Sequence, residues 1–286
     1  MRYLYALAIL LNLVACGRLE RYEPKESATR VDELRIAFAA KRAELATLTD
    51  DRGGWPSVID CDAVLWAGEA AAAGQSVDLA RAEHAPGEIH RRPVKPCWTP
   101  DAGDTGSRTT VSRDMLLGYL AGVWAQQDVD ALERLAAYGE QHDWVMGQPL
   151  ADGRTWMGFN LQGLLARMLA HFGVEKVYRH LPTSYAALPA ADFERHLLAL
   201  GVYLQGAVAG DIDGEMMARL DELEAAEPDN FFFSAVRSVY TGDATRAVER
   251  LLADAPAPTY VRGDQPEAYA LAHWLLAAKI VLDHAE

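Results

Sequence analysis

Apolar residues recur along this chain at helical intervals. Leu161, Leu164, Leu165, Met168, Leu169 and Phe172 follow i, i+3, i+4, i+7, i+8 and i+11, the spacing of one helix face. Leu116, Tyr119, Leu120 and Val123 form a second such stripe, and Leu271, Trp274, Leu275, Ala278 and Leu282 a third. Val31, Leu34, Phe38, Leu45 and Leu48 mark an amphipathic helix near the start. No β-branched alternation is long enough for a strand, so the pattern predicts an all-α protein.

Helix ends are marked as well. Ser112 suits an N-cap before Arg113-Asp114-Met115, and Asp128 opens the next helix after a short Gln126-Gln127 joint. Asp211 or Asp213 and Asp243 suit further caps, and Pro228 and Pro256 punctuate turns. Sorted by polarity, the helices fall into two sets. Residues 57–74, 112–126, 157–172, 191–209, 229–241 and 265–284 are rich in small and apolar residues; 28–48, 128–142, 174–180, 213–226 and 243–254 carry one charged face.

The sets alternate, as expected for a ring of about five to six helical hairpins with the apolar set inward. This order resembles the (α/α) toroid of six-hairpin glycosidases and polysaccharide lyases, although no catalytic motif of those families can be matched. The resemblance implies a central cavity into which polar helix ends and loops project. A helical-repeat superhelix would use the same helix pairs, but no fixed-period self-similarity is present.

The first residues depart from this pattern. Arg2 precedes an apolar run, Leu4-Tyr5-Ala6-Leu7-Ala8-Ile9-Leu10-Leu11, followed by Leu13-Val14-Ala15-Cys16-Gly17. The run is far shorter than the roughly 20 residues a bilayer crossing needs and reads as a secretory signal. Leu13-Val14-Ala15-Cys16 resembles the lipobox of bacterial lipoproteins. That resemblance implies cleavage after residue 15, acylation of Cys16, and a place in the bacterial cell envelope, expected on the periplasmic side of the outer membrane. The expected organisation is a signal peptide over 1–15, an acylated cysteine and polar tether over 16–27, and one domain over 28–286.

Net charge, −14 for the chain, excludes broad electrostatic binding of nucleic acid. It also disfavours contact with anionic lipid, so the expected membrane partner is reached through the lipid on Cys16. Besides Cys16 the chain holds Cys61 and Cys97. In an oxidising compartment these two invite a disulfide, worth on the order of 3–4 kcal/mol for a loop of roughly 36 residues; two buried thiols are the alternative.

Candidate chemistry gathers in three places. The long non-helical stretch 75–111 holds Arg91, Arg92, Cys97 and Trp98, and binding groups concentrate on loops held by a rigid scaffold. Arg113 and Asp114 stand in the first turn of an inner helix, where the dipole favours Asp but not Arg. Glu140, His142, Asp143, Trp144, Trp156 and Asn160 mix carboxylates with aromatics at another helix end. Trp144 and Trp156 suit stacking on a sugar ring.

Glycoside hydrolysis needs two carboxyl groups about 5–10 Å apart, and Asp114 with Asp143 or Glu140 is the pairing available. The expected catalytic set is therefore Asp114, Asp143 and Glu140. The expected ligand-binding set is Arg91, Arg92, Trp98, Arg113, His142, Trp144, Trp156 and Asn160. Lyase chemistry would instead draw on Arg92, Arg113, His142 and Tyr119.

Glu83, His84, Glu88 and His90 are metal-ligand types without zinc spacing, and His171, His180, His196, His273 and His284 read as structural, so neither a metal nor a cofactor is expected. The reading is an envelope lipoprotein whose cavity binds a carbohydrate, with glycosidase- or lyase-like cleavage of it left open, against a non-catalytic scaffold or interaction lipoprotein on the same helices.

Overall fold

The computed structural model describes residues 26–57, 61–93, 110–147, 155–178, 188–210, 212–253 and 267–285. Ten α-helices account for most of them. They are α1 (Glu26–Thr47), α2 (Ala63–Ala72), α3 (Arg113–Gln126), α4 (Val129–Gln141), α5 (Phe159–His171), α6 (Asp192–Ala209), α7 (Gly214–Ala226), α8 (Phe231–Thr241), α9 (Thr245–Leu252) and α10 (Glu267–His284). The all-α expectation holds.

Helix boundaries follow local chemistry. Asp128 caps α4 by accepting from Ala131 N at 3.0 Å, and Asp213 caps α7 by accepting from Met216 N at 2.8 Å. Asn230 caps α8 through Phe232 N and Phe233 N. Gly210 and Gly242 end α6 and α8 in the left-handed conformation. Ser112 does sit at the N-cap of α3, but its side chain makes no capping bond. The helix expected over 174–180 does not form: residues 174–178 are irregular after Gly173 turns the chain at φ +82°.

Two small hairpins were not anticipated. β1 (Glu83–Ala85) pairs antiparallel with β2 (Glu88–Ile89), and β3 (Val145–Gly147) with β4 (Thr155–Trp156). Strands of two or three residues are too short to display an alternation. The first hairpin and a 3-10 turn at Leu79–Ala82 lie inside the stretch 75–111, read from sequence as a loop. Glu83 anchors that hairpin: its carboxylate accepts from Arg134 Nη2 at 2.7 Å, Tyr119 Oη at 2.9 Å and Gly87 N at 2.8 Å.

The polarity sorting is reflected in burial. All but one residue of α2 is buried, as is most of α10, whereas α1 fully buries only Leu34 and Leu45. Helix α2 packs along α3, α3 against α5, α5 against α6, α6 against α8, α8 against α10, and α10 against α2. Helices α1, α4, α7 and α9 pack on these: α4 on α3 and α5, α7 on α6 and α8, and α1 and α9 on α10.

The inward faces of α2, α6, α8 and α10 meet side chain to side chain. Trp66 stacks on His196 and Tyr269, with ring centroids 5.8 and 5.6 Å apart, and Phe232 tilts against His273 at 4.5 Å. Aromatic side chains fill the space between these four helices, and a cleft opens elsewhere, among α3, α5 and α6.

Candidate functional site

That cleft, about 850 Å³, opens where the N-terminal ends of α3, α5 and α6 come together beside β4. Its floor is apolar: Leu117 from α3, Leu161 and Leu164 from α5, and Leu198 with Gly201 from α6. Its polar lining is Arg113, Thr155, Asn160, Glu194 and Gln205, with the Trp156 indole at the edge. Trp156 is 55% exposed, and Phe159 and Phe193, next in sequence to the lining residues Asn160 and Glu194, are 36% and 53% exposed. Of these three, Trp156 lines the cleft.

Local structure explains how these groups converge. Thr155 Oγ1 donates to Val111 O at 2.6 Å, fastening β4 to the segment that enters α3. Gln162 Nε2 donates to Met157 O at 2.6 Å and holds the turn between Trp156 and α5. On α6, Glu194, Leu197, Leu198, Gly201 and Gln205 fall at i, i+3, i+4, i+7 and i+11, so one helix face presents them all.

Electrostatically the cleft holds both signs. Arg113 is exposed and forms no ion pair among the described residues, and Glu194 is the one carboxylate among the described lining residues. The N-cap residues of α3, α5 and α6 make no side-chain capping bond, in contrast to α4, α7 and α8; within the first turn of α6, Asp192 Oδ1 accepts from Phe193 N at 2.8 Å. The start of α3, with the Arg113 guanidinium, and the start of α5 border the cleft. Ser112 Oγ, also in the lining, is buried without a hydrogen-bond partner.

Of the residues expected from sequence, Arg113, Trp156 and Asn160 are brought together here. The expected carboxylates are not. Asp114 follows Arg113 but does not line the cleft. Glu140 accepts from Lys176 Nζ at 2.8 Å and Tyr178 Oη at 2.7 Å, which bind the end of α4 to the chain after α5; these bonds, Lys176 first, hold its carboxyl below the ordinary value. His142 stacks on Tyr138 at 4.2 Å, and Trp144 packs edge-on to Tyr178 at 4.6 Å. Asp143 and Trp144 adopt φ of +51° and +63°, a tight turn that tucks the indole over Gly139. This cluster closes the end of α4, and none of its four members lines the cleft.

Arg91 reaches Asp62 at 3.5 Å, and neither Arg91 nor Arg92 is among the lining residues. Cys16, Cys97 and Trp98 lie outside the described residues. Glu194 and Gln205 escaped the sequence reading, although two polar interruptions on an otherwise apolar α6 face were a usable signal.

A second polar group sits in the core. Glu69 of α2 is fully buried; its Oε1 lies 2.8 Å from His196 Nε2 of α6 and its Oε2 3.0 Å from His273 Nδ1 of α10. Burial opposes ionisation of Glu69, but His273 and His196, by charge and hydrogen bonding, outweigh it and hold the carboxyl at about 2. Burial pushes the His273 imidazole down, against the pull of Glu69. By contrast, the His84–His90 pair stacks at 3.6 Å with His90 on Glu88, while Glu83 is taken by Arg134 and Tyr119.

Comparisons with family models, curated proteins and solved structures return no match for this chain.

Proposed function

We propose that this protein is a lipid-anchored envelope protein whose lateral cleft binds an oligosaccharide carrying an acidic sugar. The observation that carries the reading is the Trp156 indole standing open at the edge of an apolar-floored cleft beside Arg113, Asn160 and Glu194. An aromatic face suits the apolar side of a pyranose ring, and planar polar groups suit its hydroxyls. Arg113, with the helix starts of α3 and α5 that lack a capping side chain, favours a carboxylate on the ligand.

The reading is one of binding, with Glu194 the carboxylate of the described lining placed to accept from sugar hydroxyls. The succession of contacts from α2 through α3, α5, α6, α8 and α10 back to α2 supports an (α/α) ring as the architecture. The anchor rests on the lipobox-like Leu13-Val14-Ala15-Cys16. No helix among the described residues is long and apolar enough to cross a membrane.

Calorimetry on the chain lacking residues 1–16 tests the binding, with uronate-containing and neutral oligosaccharides as probes. Binding of the uronate probe, weakened about tenfold or more by Trp156→Ala, is the expected result. Absence of binding to either probe, or equal binding by the variant, overturns the reading. Mass spectrometry of the full chain from a bacterial host tests the anchor, which requires an acylated Cys16 at the mature N-terminus.

A further inference from the structure

Glu69, His196 and His273 come from three helices far apart in sequence, separated by 127 and 204 residues from the carboxylate to each imidazole. Each offers one ligand atom, and the three atoms all lie within 4.8 Å of one another. We propose that these residues form a buried binding site for one divalent transition-metal ion, with zinc the best match to the donors, and that the ion ties α2, α6 and α10 together.

The donor set fits. Imidazole nitrogen and carboxylate oxygen are the ligands zinc takes at about 2.0–2.2 Å, and bonds of that length put neighbouring donors roughly 3.4 Å apart in a tetrahedron. The O–N separations of 2.8 and 3.0 Å are already near that value, so opening the group around an ion requires only small side-chain movements. Metal binding also requires an ionised carboxylate and neutral imidazoles.

The surroundings are consistent with an ion. A carboxylate at 0% exposure in a helix that otherwise reads Ala-Val-Leu-Trp-Ala-Gly-Ala-Ala-Ala is costly unless its charge is answered. Trp66 packs on both imidazoles, at 5.8 and 5.9 Å between centroids, and its buried Nε1–H has no acceptor among the described residues. An anionic oxygen completing the ion's shell would give that donor a partner. The three side chains are 0–2% exposed, which marks a structural ion acquired during folding and not a catalytic one open to substrate.

The test uses the full chain, stripped with chelator and reloaded with Co(II) or Zn(II) alone. One equivalent of Co(II) with visible d–d bands, one zinc per chain by elemental analysis, and a melting temperature raised by reloading are expected. Glu69→Gln, which preserves shape and removes the charge, should weaken Co(II) binding by about 100-fold or more. Should that variant fail to fold, His273→Gln and the wild-type titration decide the matter. A wild-type chain that retains no stoichiometric metal, shows no d–d bands and melts at the same temperature with and without metal overturns the proposal and leaves a hydrogen-bonded core network. Retention of full Co(II) affinity by Glu69→Gln also overturns it.

Discussion

Gly68 of α2 and Gly118 of α3 lie back to back where the two helices cross. A Cβ on Gly68 would overlap the Gly118 carbonyl, and a Cβ on Gly118 would stand 2.5 Å from Leu65 Cα. Backbone meets backbone here, and no side-chain rotation can make room. The close crossing sets where α2 delivers Trp66 and Glu69 to the core and where α3 delivers Arg113 to the cleft.

Gly68→Ala and Gly118→Ala should each destabilise the fold by about 3 kcal/mol or more, since overpacking against a backbone cannot be relieved locally. Gly214→Ala is the control. That glycine opens α7 with no heavy atom near its would-be Cβ and an ordinary φ, so alanine there should be neutral or add up to about 1 kcal/mol. Urea unfolding of the three variants checks the contrast.

The Glu83 anchor should produce a pH signature. Burial raises its pKa, but Arg134, Gly87 and Tyr119 together hold it below the ordinary 4.5. A depressed carboxyl stabilises the fold above its unfolded value and loses that contribution as pH falls through the folded value. Glu83→Gln should therefore cost about 2 kcal/mol at neutral pH, less than a fully buried pair because the Arg134 side chain is 34% exposed. The gap between wild type and variant should narrow as pH drops below 4.5, which melting curves across acidic pH would show. A gap that stays constant in acid would refute this assignment.

Cleft charge should separate the binding groups from those that merely neighbour them in sequence. Arg113→Gln should weaken the acidic-saccharide interaction by about tenfold, the scale of one charge-assisted hydrogen bond. Asp143→Asn should leave it unchanged, because Asp143 sits in the turn after α4 and does not line the cleft. Calorimetry with the same uronate probe checks both. Equal losses in the two variants would place the ligand elsewhere.

We propose that Cys61 and Cys97 are bridged. Val64 N donates to Arg91 O at 3.0 Å, and Arg91 N donates to Thr110 O at 2.9 Å, so both ends of the segment carrying Cys97 are held beside the start of α2. Reduction, or Cys61→Ser with Cys97→Ser, should lower stability by about 3 kcal/mol. Non-reducing peptide mapping that finds two free thiols in the purified chain would end this assignment.

The helices were legible because a buried face repeats every three to four residues, a local pattern any segment carries by itself. The spans expected over 112–126, 128–142, 191–209 and 213–226 agree with α3, α4, α6 and α7 to within a residue or two. Arg113, Trp156 and Asn160 could be singled out in sequence because polar or aromatic surface at a helix start has no packing explanation, and all three line the cleft. Glu140 and Asp143 stand away from it, the first held by Lys176 and Tyr178 and the second in a left-handed turn, neither of which carries a signal at those positions.

Sequence alone determined the all-α class, the division into apolar and half-charged helices, most helix ends, and a handful of polar residues worth watching. Tertiary structure decided which of those residues share a space. It packed the middle with Trp66, Tyr269 and Phe232, moved the accessible cleft to the ends of α3, α5 and α6, and joined Glu69 to two histidines that read as ordinary helix residues. The reason is physical: periodicity reports that a face is buried, but the partner it is buried against depends on how distant helices cross, and that is set by contacts such as Gly68 on Gly118.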